Sequence, residues 1–417
     1  MAVYFLDLFA GAGGLSEGFI QAGYTPVAHI EQNKAACFTL RTRNAYFFLK
    51  KTDRLDIYYQ YLQGKISRDE LYSYIPKEEF DSVICESIEK DKRKKLFAKI
   101  DVLLGKNKLD VIIGGPPCQA YSLVGRSRHE NNMVGDSRNY LYLEYVEFLK
   151  KYKPKIFVFE NVTGLLSATD SDETKHIDNM LEAFKKVGYI TTKYILNSAD
   201  FGVPQRRKRV IIIGTSSKTP IEINFQDQYV DHTTAGNFIN DLVKISAGQG
   251  KIISTNQKHE APIKLKELGV ADCPYITFHQ SRSHNARDLE IYQLVVKTWE
   301  KQGERLNYNN LPDRLKTHNN RESFLDRFKV VIKDQPSHTV VAHISKDGHY
   351  YIHPDIKQNR SLTVREVARL QTFPDSYFFE SETGKPARTS AYVQIGNAVP
   401  VLLAKEIALN LIKELIE

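Results

Sequence analysis

The sequence predicts an α/β protein with a doubly wound parallel sheet and a second, smaller and irregular domain. Short apolar, β-branched runs alternate with helical patterns from the first residues to about residue 215, as in βαβ units. That alternation stops over 216–334 and resumes near Arg360. We therefore expect a first domain over 1–215 with an insertion at about 50–80, a second domain over 216–345, and a C-terminal segment 346–417 that returns to the first domain.

The composition is that of an ordinary globular protein with a basic balance. The chain has 417 residues, and its net charge of +8 favours an anionic partner such as nucleic acid. Its four cysteines have no CxxC spacing, so we expect neither a disulfide framework nor a metal site, and we expect a cytoplasmic protein. We find no apolar run long enough to span a bilayer and expect no membrane partner and no signal peptide.

A glycine-rich turn follows the first predicted strand, which covers 3–9, and precedes a predicted helix over 15–22. Strand, glycine turn and helix start make a nucleotide-type binding loop. Ser16 stands where the dinucleotide fingerprint requires its third glycine. The next strand, 26–30, leads into Glu31, which is suited to bind ribose hydroxyls. These features predict a site for an adenosine-containing cofactor without a pyrophosphate, although single glycines also suit a plain βα turn.

The stretch 110–118 predicts a buried strand that ends in a rigid Gly-Gly-Pro-Pro turn before Cys118. The glycines allow a sharp turn and the prolines fix φ twice, so Cys118 is presented at the carboxyl end of a strand. A buried structural cysteine is the weaker interpretation, because such a turn is not needed for one.

Two further groups are expected at the edge of the sheet where Cys118 lies. The strand 156–162 carries Glu160 after four apolar residues, where an unpaired carboxylate would be costly to bury. The basic turn 205–209 precedes another strand, and its guanidinium groups suit phosphate and carboxylate. The polar loop 121–138 is predicted to be a mobile lid over the site.

The other expected elements follow from periodicity and composition. The 50–79 insertion is predicted to be mostly helical with its tyrosines as its core. A Gly-Asn turn at 396–397 is expected to lead into the closing helix. We also predict helices over 33–48, 89–104, 139–151, 176–187, 363–371 and 398–415, and strands over 81–88, 189–197 and 210–215.

Taken together, six stretches resemble the cytosine-5 DNA methyltransferase family, in the family's order and from end to end of the chain apart from two variable regions. They are residues 7–14, 115–119, 160–162, 205–209, 365–375 and 394–397. The resemblance implies the S-adenosylmethionine-dependent methyltransferase (Rossmann-like) sheet. It also implies that the irregular region 216 to about 334 is a target-recognition domain.

The resemblance implies S-adenosylmethionine as the methyl donor, S-adenosylhomocysteine as the product, and no metal. Where the family usually has an acid before Ile at the end of the third strand, this chain has 86–88, Glu-Ser-Ile, so either Glu86 or Ser87 could contact adenine. The cofactor-binding residues that it implies are Phe9, Ala10, Gly11, Gly13, Gly14, Glu31, Gln32, Ser87, Ile88, Pro117, Leu141, Asn397 and Val399.

The same resemblance implies a mechanism. Cys118, as a thiolate, adds to C6 of cytosine, and Glu160 binds and protonates N3. Arg207 and Arg209 position Glu160 and the base. The cytosine must first be flipped out of the duplex. The residues expected at the base and the loop are Gln119, Ser122 and Gln205.

The expected partner is double-stranded DNA with one specific target sequence, together with a cognate restriction endonuclease encoded nearby, and the expected protein is a monomer. Two alternatives stay open: a tRNA cytosine-5 methyltransferase, and a catalytically silent DNA-binding regulator. A NAD-linked enzyme fits less well because of Ser16 and the thiol platform.

Overall fold

A seven-stranded sheet forms the centre of the protein. The structure, a computed structural model, describes residues 2–117, 140–169, 173–221, 223, 225, 233–255 and 258–416. The strands of the sheet are β1 (Tyr4–Leu8), β2 (Thr25–Glu31), β3 (Val83–Cys85), β4 (Val111–Gly114), β5 (Ile156–Val162), β6 (Tyr189–Asn197) and β7 (Lys208–Ser216), and a separate pair is formed by β8 (Gly250–Lys251) and β9 (His279–Gln280).

The described α-helices fall into two groups along the chain. Those before β7 are α1 (Gly14–Gln21), α2 (Lys34–Lys51), α3 (Leu55–Leu62), α4 (Arg68–Ser73), α5 (Glu78–Asp81), α6 (Arg93–Leu104), α7 (Leu141–Tyr152) and α8 (His176–Lys186). Those after it are α9 (Ala235–Ile239), α10 (Ile263–Glu267), α11 (Ala286–Gln302), α12 (Val364–Leu370), α13 (Arg388–Asn397) and α14 (Val401–Ile416).

The sheet has the strand order β3-β2-β1-β4-β5-β7-β6. Strands β1 to β5 pair in parallel, whereas β7 runs antiparallel to both β5 and β6. The order reverses between β1 and β4, and in open α/β sheets the crevice beyond the strand ends at such a point binds ligands. The predicted doubly wound sheet is therefore confirmed, and its carboxyl edge is the place to look for a site.

Alternate side chains of the strands feed two separate cores, one on each face of the sheet. Phe157 and Phe159 of β5 pack with α6, α7 and α8, and Ile156 and Val158 pack with α1 and α14. Because both faces are covered, the central strands read as continuous apolar runs.

A third core holds the second half of the chain against the insertion. It contains the buried faces of α2, α3, α9, α12 and α13. A smaller, separate cluster is built on α11, with Tyr292, Tyr308 and Phe328 among its buried residues. The prediction that 50–79 is mostly helical is confirmed, since this stretch contains α3 and α4, the end of α2 and the start of α5.

Two helices in the second half were not predicted from the sequence. The region 216–334 contains the 17-residue helix α11, whose Ile291, Tyr292, Val295 and Val296 form one buried face. The 396–397 turn is instead the last turn of α13, which the prediction omitted. In α11 the polar residues on the solvent side masked an apolar stripe that is present in the sequence. In α13 no such stripe could be seen, because most sides of the helix are buried or half-buried.

The stretch Arg388–Leu415 is apolar and long enough, by composition, to cross a membrane, which corrects our expectation that no stretch would be. It comprises α13 and α14, and 61% of its most apolar window is buried inside the protein, as in a core helix of a globular fold.

Candidate active site

The glycine turn after β1 leaves open space at the carboxyl edge. Phe9 adopts a positive φ of 60°, an uncommon conformation for a bulky residue that marks a constrained turn. The backbone N–H of Gly11 donates to Oε2 of Glu31 at 2.8 Å, so β1 and β2 are joined at this point. A Cβ built on Gly11 would meet no atom within 4 Å, which leaves room for a ligand beside the Glu31 carboxylate.

The Glu31 carboxylate is fixed by backbone donors on both sides. Its Oε1 accepts the N–H of Asn33 at 2.7 Å, and the Asn33 side chain in turn caps α2. Burial raises the pKa of Glu31 above its usual value, and the hydrogen bonds from Asn33 and Gly11 oppose that shift. Each carboxylate oxygen keeps a lone pair for another donor.

At the end of β3, Lys92 occupies the expected adenine-contact region. Its Nζ lies 2.9 Å from Oε1 of Glu86 and donates to Oγ of Ser87 at 2.6 Å. The bond from Lys92 lowers the pKa of Glu86, and Ile88 is buried. Ser87 thus accepts a hydrogen bond from a lysine, and the adenine contact of Ser87 and Ile88 stays a prediction.

The Gly-Gly-Pro-Pro turn packs between two strands. A Cβ on Gly114, whose φ is 150°, would lie 2.1 Å from the carbonyl oxygen of Leu8, and one on Gly115 would lie 2.7 Å from Oε2 of Glu160. Pro117 is the last described residue of this turn. Cys118, Gln119, Ser122 and the predicted lid 121–138 lie outside the described residues.

Glu160 and Arg209 form an ion pair at this edge, with Oε1 and Nε 2.8 Å apart. Glu160 pairs with Ile211 and Val162 pairs with Arg209 across β5 and β7. Glu160 and Arg209 are thus diagonal neighbours on one face of the sheet, which is within reach of long side chains. Their side chains are 16% and 11% exposed, so the pair is partly open to a ligand.

Arg207 and Gln205 are both buried and bind distant segments of the chain. Arg207 is buried and donates to the carbonyls of Val340 and Gly396. Gln205 is fully buried and donates its amide to the carbonyl of Leu370 at 3.2 Å and to the side chain of Gln371 at 2.9 Å. Both N–H groups of its amide are therefore used inside the protein, and the expected contact of Gln205 with the base stays a prediction.

Two supporting residues were missed by the sequence analysis. Asn161 is buried and donates its amide to the carbonyl of Pro116 at 3.3 Å, which attaches the turn to β5. Tyr377 donates to the carbonyl of Ala12 at 2.5 Å and so holds the glycine turn. Asn161 could have been predicted from the sequence, because it directly follows Glu160. No feature of the sequence indicated the role of Tyr377.

The remaining predicted cofactor residues come from distant parts of the chain. Leu141 begins α7, Asn397 ends α13, and Gln32 is exposed beyond β2. Val399 lies against the glycine turn, because a Cβ on Gly14 would come within 2.3 Å of its carbonyl oxygen. Ala10 and Gly13 close the turn through the hydrogen bond from the N–H of Gly13 to the carbonyl of Ala10.

Within the part of the chain that the structure describes, no group of three or more His, Cys, Asp and Glu is placed to hold a metal ion. The open cradle at Gly11 and the partly buried carboxylate of Glu31 fit an organic ligand with hydroxyl groups.

Comparison with known proteins identifies the family of this chain. The model of the C-5 cytosine-specific DNA methylases matches residues 3–100 and 64–413. The chain is 41% identical to the type II methyltransferase M.Bpa9945I of Bacillus paralicheniformis, with 97% of each protein covered. It is 30% identical to the type II methyltransferase M1.HphI of Haemophilus parahaemolyticus, with 99% of this chain and 87% of the relative covered.

Solved structures share the fold. A prophage-encoded protein of E. coli, described as a DNA modification methyltransferase, superposes with a TM-score of 0.62 at 20% identity, and both chains are covered completely. The methyltransferase EhMeth of Entamoeba histolytica gives a TM-score of 0.54 at 14% identity, again over both complete chains. With a family match over nearly the whole chain and a 41% identical relative covered over 97% of both proteins, the protein belongs to the C-5 cytosine-specific DNA methylases and is a DNA cytosine-5-methyltransferase.

Proposed function

We propose that this protein transfers a methyl group from S-adenosylmethionine to C5 of one cytosine within a specific duplex DNA sequence. The observation that carries the proposal is the Glu160–Arg209 pair, which lies against the glycine turn that leads to Cys118. A carboxylate held by a guanidinium at a strand edge suits a group that must bind and protonate a ring nitrogen.

The cofactor pocket that we propose lies between the ends of β1 and β2. Glu31 would accept hydrogen bonds from the ribose hydroxyls, and the turn from Phe9 to Gly14 would hold the methionine part. Ser87, Ile88, Pro117, Leu141, Asn397 and Val399 would complete the pocket, with Ala10 and Gln32 at its border. When bound, S-adenosylmethionine supplies an electrophilic methyl group and leaves as S-adenosylhomocysteine.

The roles of the protein groups follow from the needs of the ring. The thiolate of Cys118 would add to C6, which makes C5 nucleophilic, while Glu160 hydrogen-bonds N3 and donates a proton to it. Arg209 would keep the Glu160 carboxylate aimed at the base. After methylation, a water molecule would take the C5 proton and N3 would return its proton to Glu160. The Cys118 sulfur would leave C6 as a thiolate, which restores the C5–C6 double bond and frees the enzyme.

The base must leave the duplex for this chemistry, at a cost of a few kcal/mol. We propose that the DNA is bound by the second half of the chain together with the basic turn before β7. The curated relatives carry the name type II methyltransferase, which supports a role in a restriction-modification system. We propose that the protein acts on DNA as a cytoplasmic monomer, alongside a cognate endonuclease.

The test is bisulfite sequencing of unmethylated genomic DNA after incubation with the protein and S-adenosylmethionine. We expect protected cytosines in one short, repeated context. Cys118→Ala should abolish protection, and Glu160→Gln should slow single-turnover methyl transfer by ~10²-fold or more. Cys273→Ala, which removes a buried thiol of the third core that is not among the proposed site residues, serves as the control and should still protect the cytosines.

Normal turnover by Cys118→Ala would contradict the covalent mechanism. Complete conversion of the DNA, together with methyl transfer to tRNA, would instead favour the tRNA methyltransferase. Absence of transfer to either nucleic acid, with binding to DNA retained, would favour the silent regulator.

A further inference from the structure

A cavity of about 180 Å³ opens beside the basic turn that precedes β7. It lies between this turn and the segment 332–339. Its third wall is formed by Arg305, which follows the end of α11 in the chain. Two of its lining side chains are arginines, and none of the lining residues is a carboxylate. Apart from Ile332, the lining residues are Arg206, Arg305, Pro336, Ser337, His338 and Thr339.

Two walls of the cavity are joined through their backbones. The N–H of Arg206 donates to the carbonyl of Ser337 at 2.8 Å, and the N–H of Ser337 donates to the carbonyl of Pro204 at 2.9 Å. The hydroxyl of Thr339 donates to the carbonyl of Arg206 at 2.7 Å. The cavity is therefore built into the fold, with little reorganisation needed before a ligand binds.

The positive charge at this cavity exceeds the negative charge. Arg206 donates to the neutral amide oxygen of Gln335 at 3.2 Å. Partial burial lowers the pKa of Arg305; Asp326 opposes that shift, and the nearby charge of Arg206 adds to it. Asp326 is itself paired with Lys329 at 2.6 Å, so it does not balance both arginines.

His338 adds no charge at neutral pH. Burial and the neighbouring Arg305 lower the pKa of His338 to about 4, and its Nε2 lies 2.5 Å from the carbonyl of Tyr350. The positive charges of Arg206 and Arg305 repel each other, because no carboxylate in the lining matches them. An anion that binds both arginines would remove that repulsion.

We propose that Arg206 and Arg305 together hold one phosphate of the DNA backbone in this cavity, close to the flipped cytosine. The inference rests on the proposed function, since it assumes a DNA substrate at the Glu160 edge. Arg206 precedes Arg209 by three residues, so their Cα atoms are at most ~11 Å apart. A phosphate held there lies within a nucleotide or two of a base at Glu160, and guanidinium groups bind phosphate with bidentate geometry.

The test measures the affinity of the full-length protein for a short duplex DNA over a range of salt concentrations. Neutralising one phosphate contributes about 0.9 to the slope of log affinity against log salt. The double variant Arg206→Gln/Arg305→Gln is therefore expected to lower the slope by about 0.9. A loss near 1.8 would mean two separate phosphates and would overturn the shared site, as would an unchanged slope.

Two further variants serve as controls. Arg305→Lys keeps the charge and should retain the slope of the unmodified protein. Arg314→Gln, which removes an exposed arginine paired with Glu290 at 2.7 Å, should also retain it, because its charge is already matched. A slope that falls equally in Arg314→Gln would make the effect one of net charge and would overturn the proposal.

Methyl transfer is measured on the same preparations. If the unmodified protein methylates DNA and the double variant keeps its slope, the phosphate site is wrong while the proposed function stands. If no preparation methylates DNA but the double variant loses slope, the proposed function fails and the anion site remains.

Discussion

At the scale of single residues, the site depends on charged groups that are held by few, specific partners. Glu160 is held by Arg209 across two strands, and Glu31 is held by the backbone N–H groups of Gly11 and Asn33. Each arrangement orients a carboxylate without surrounding it completely. A group held in this way can bind a ligand with little loss of conformational entropy.

The pH dependence of cofactor binding is expected to report on Glu31. Its pKa is raised, chiefly by burial, so protonation begins above the usual range for glutamate as the pH falls. Protonation removes an acceptor for the ribose hydroxyls, so the affinity for S-adenosylhomocysteine should decrease as the pH falls through that raised pKa. Titration calorimetry at a series of pH values measures this affinity.

Glu31→Gln is the matched variant for that measurement. We expect it to bind S-adenosylhomocysteine more weakly near neutral pH and to lose the acid-range dependence of the unmodified protein. Equal pH dependence in both proteins would assign the titration to another group and contradict this role of Glu31.

At the scale of elements, the close approach of β4 to its neighbours requires the Gly-Gly turn. Gly114 faces the carbonyl of Leu8 in β1, and Gly115 faces Glu160 in β5. Asn161 fastens Pro116 from the other side. The turn is thus packed tightly against both β1 and β5. The position of Glu160 depends on the absence of a side chain at Gly115.

Gly115→Ala is expected to displace the Glu160 carboxylate, because the added Cβ would lie 2.7 Å from Oε2 and 2.6 Å from the backbone oxygen of Glu160. A shift of about 1 Å at a reacting group can cost ~10²-fold in rate. We expect single-turnover methyl transfer to fall by that order while S-adenosylhomocysteine still binds.

The control for this substitution is Gly105→Ala, at a position with no atom within 4 Å of the added Cβ. It should leave the rate unchanged, although its φ of 58° and ψ of −123° are strained for alanine and should lower the stability of the protein. A Gly115→Ala protein with the unmodified rate would show that the position of Glu160 does not limit the chemistry.

The helix α12 illustrates a motif whose residues serve the fold. Thr363 and Glu366 form a capping box at its start. Arg369 is fully buried and donates to Asp375 at 2.9 Å and to Asp241 at 2.7 Å. Buried arginines satisfied by carboxylates link α12 to the segments on either side, which explains this part of the sequence by packing.

At the scale of the whole molecule, the insertion is part of the core of the second half. Tyr58 is buried and donates to the carbonyl of Ser376 at 2.7 Å, and Tyr61 donates to Glu380 at 2.6 Å. The N–H of Ser254 donates to the carbonyl of Leu62 at 2.9 Å. The tyrosines therefore pack between the insertion and the second half, and not only within the insertion.

Tyr58→Ala should lower the free energy of unfolding by about 3–5 kcal/mol, as for other buried aromatic side chains. Tyr58→Phe keeps the ring and should cost only about 1 kcal/mol, the contribution of one hydrogen bond. Urea unfolding followed by circular dichroism measures both. Equal stability of all three proteins would mean that the insertion is peripheral to the core.

The sequence alone determined the order of strands and helices in the first half, because local periodicity and turn chemistry decide those elements. It also determined the family, through six short motifs in a fixed order. From the sequence, Glu31 and Glu160 were also correctly expected at the same edge of the sheet, because the carboxyl ends of parallel strands share an edge. The domain boundaries and the roles of the individual site residues stay predictions.

Only the tertiary structure decided which arginine meets Glu160. Arg207 and Arg209 are two residues apart, and a strand would point both to the same face. Strand β7 begins at Lys208, so Arg207 lies in the irregular turn and reaches the carbonyls of Val340 and Gly396 instead. Contacts between such distant segments are set by the packing of the whole chain, which no local pattern encodes.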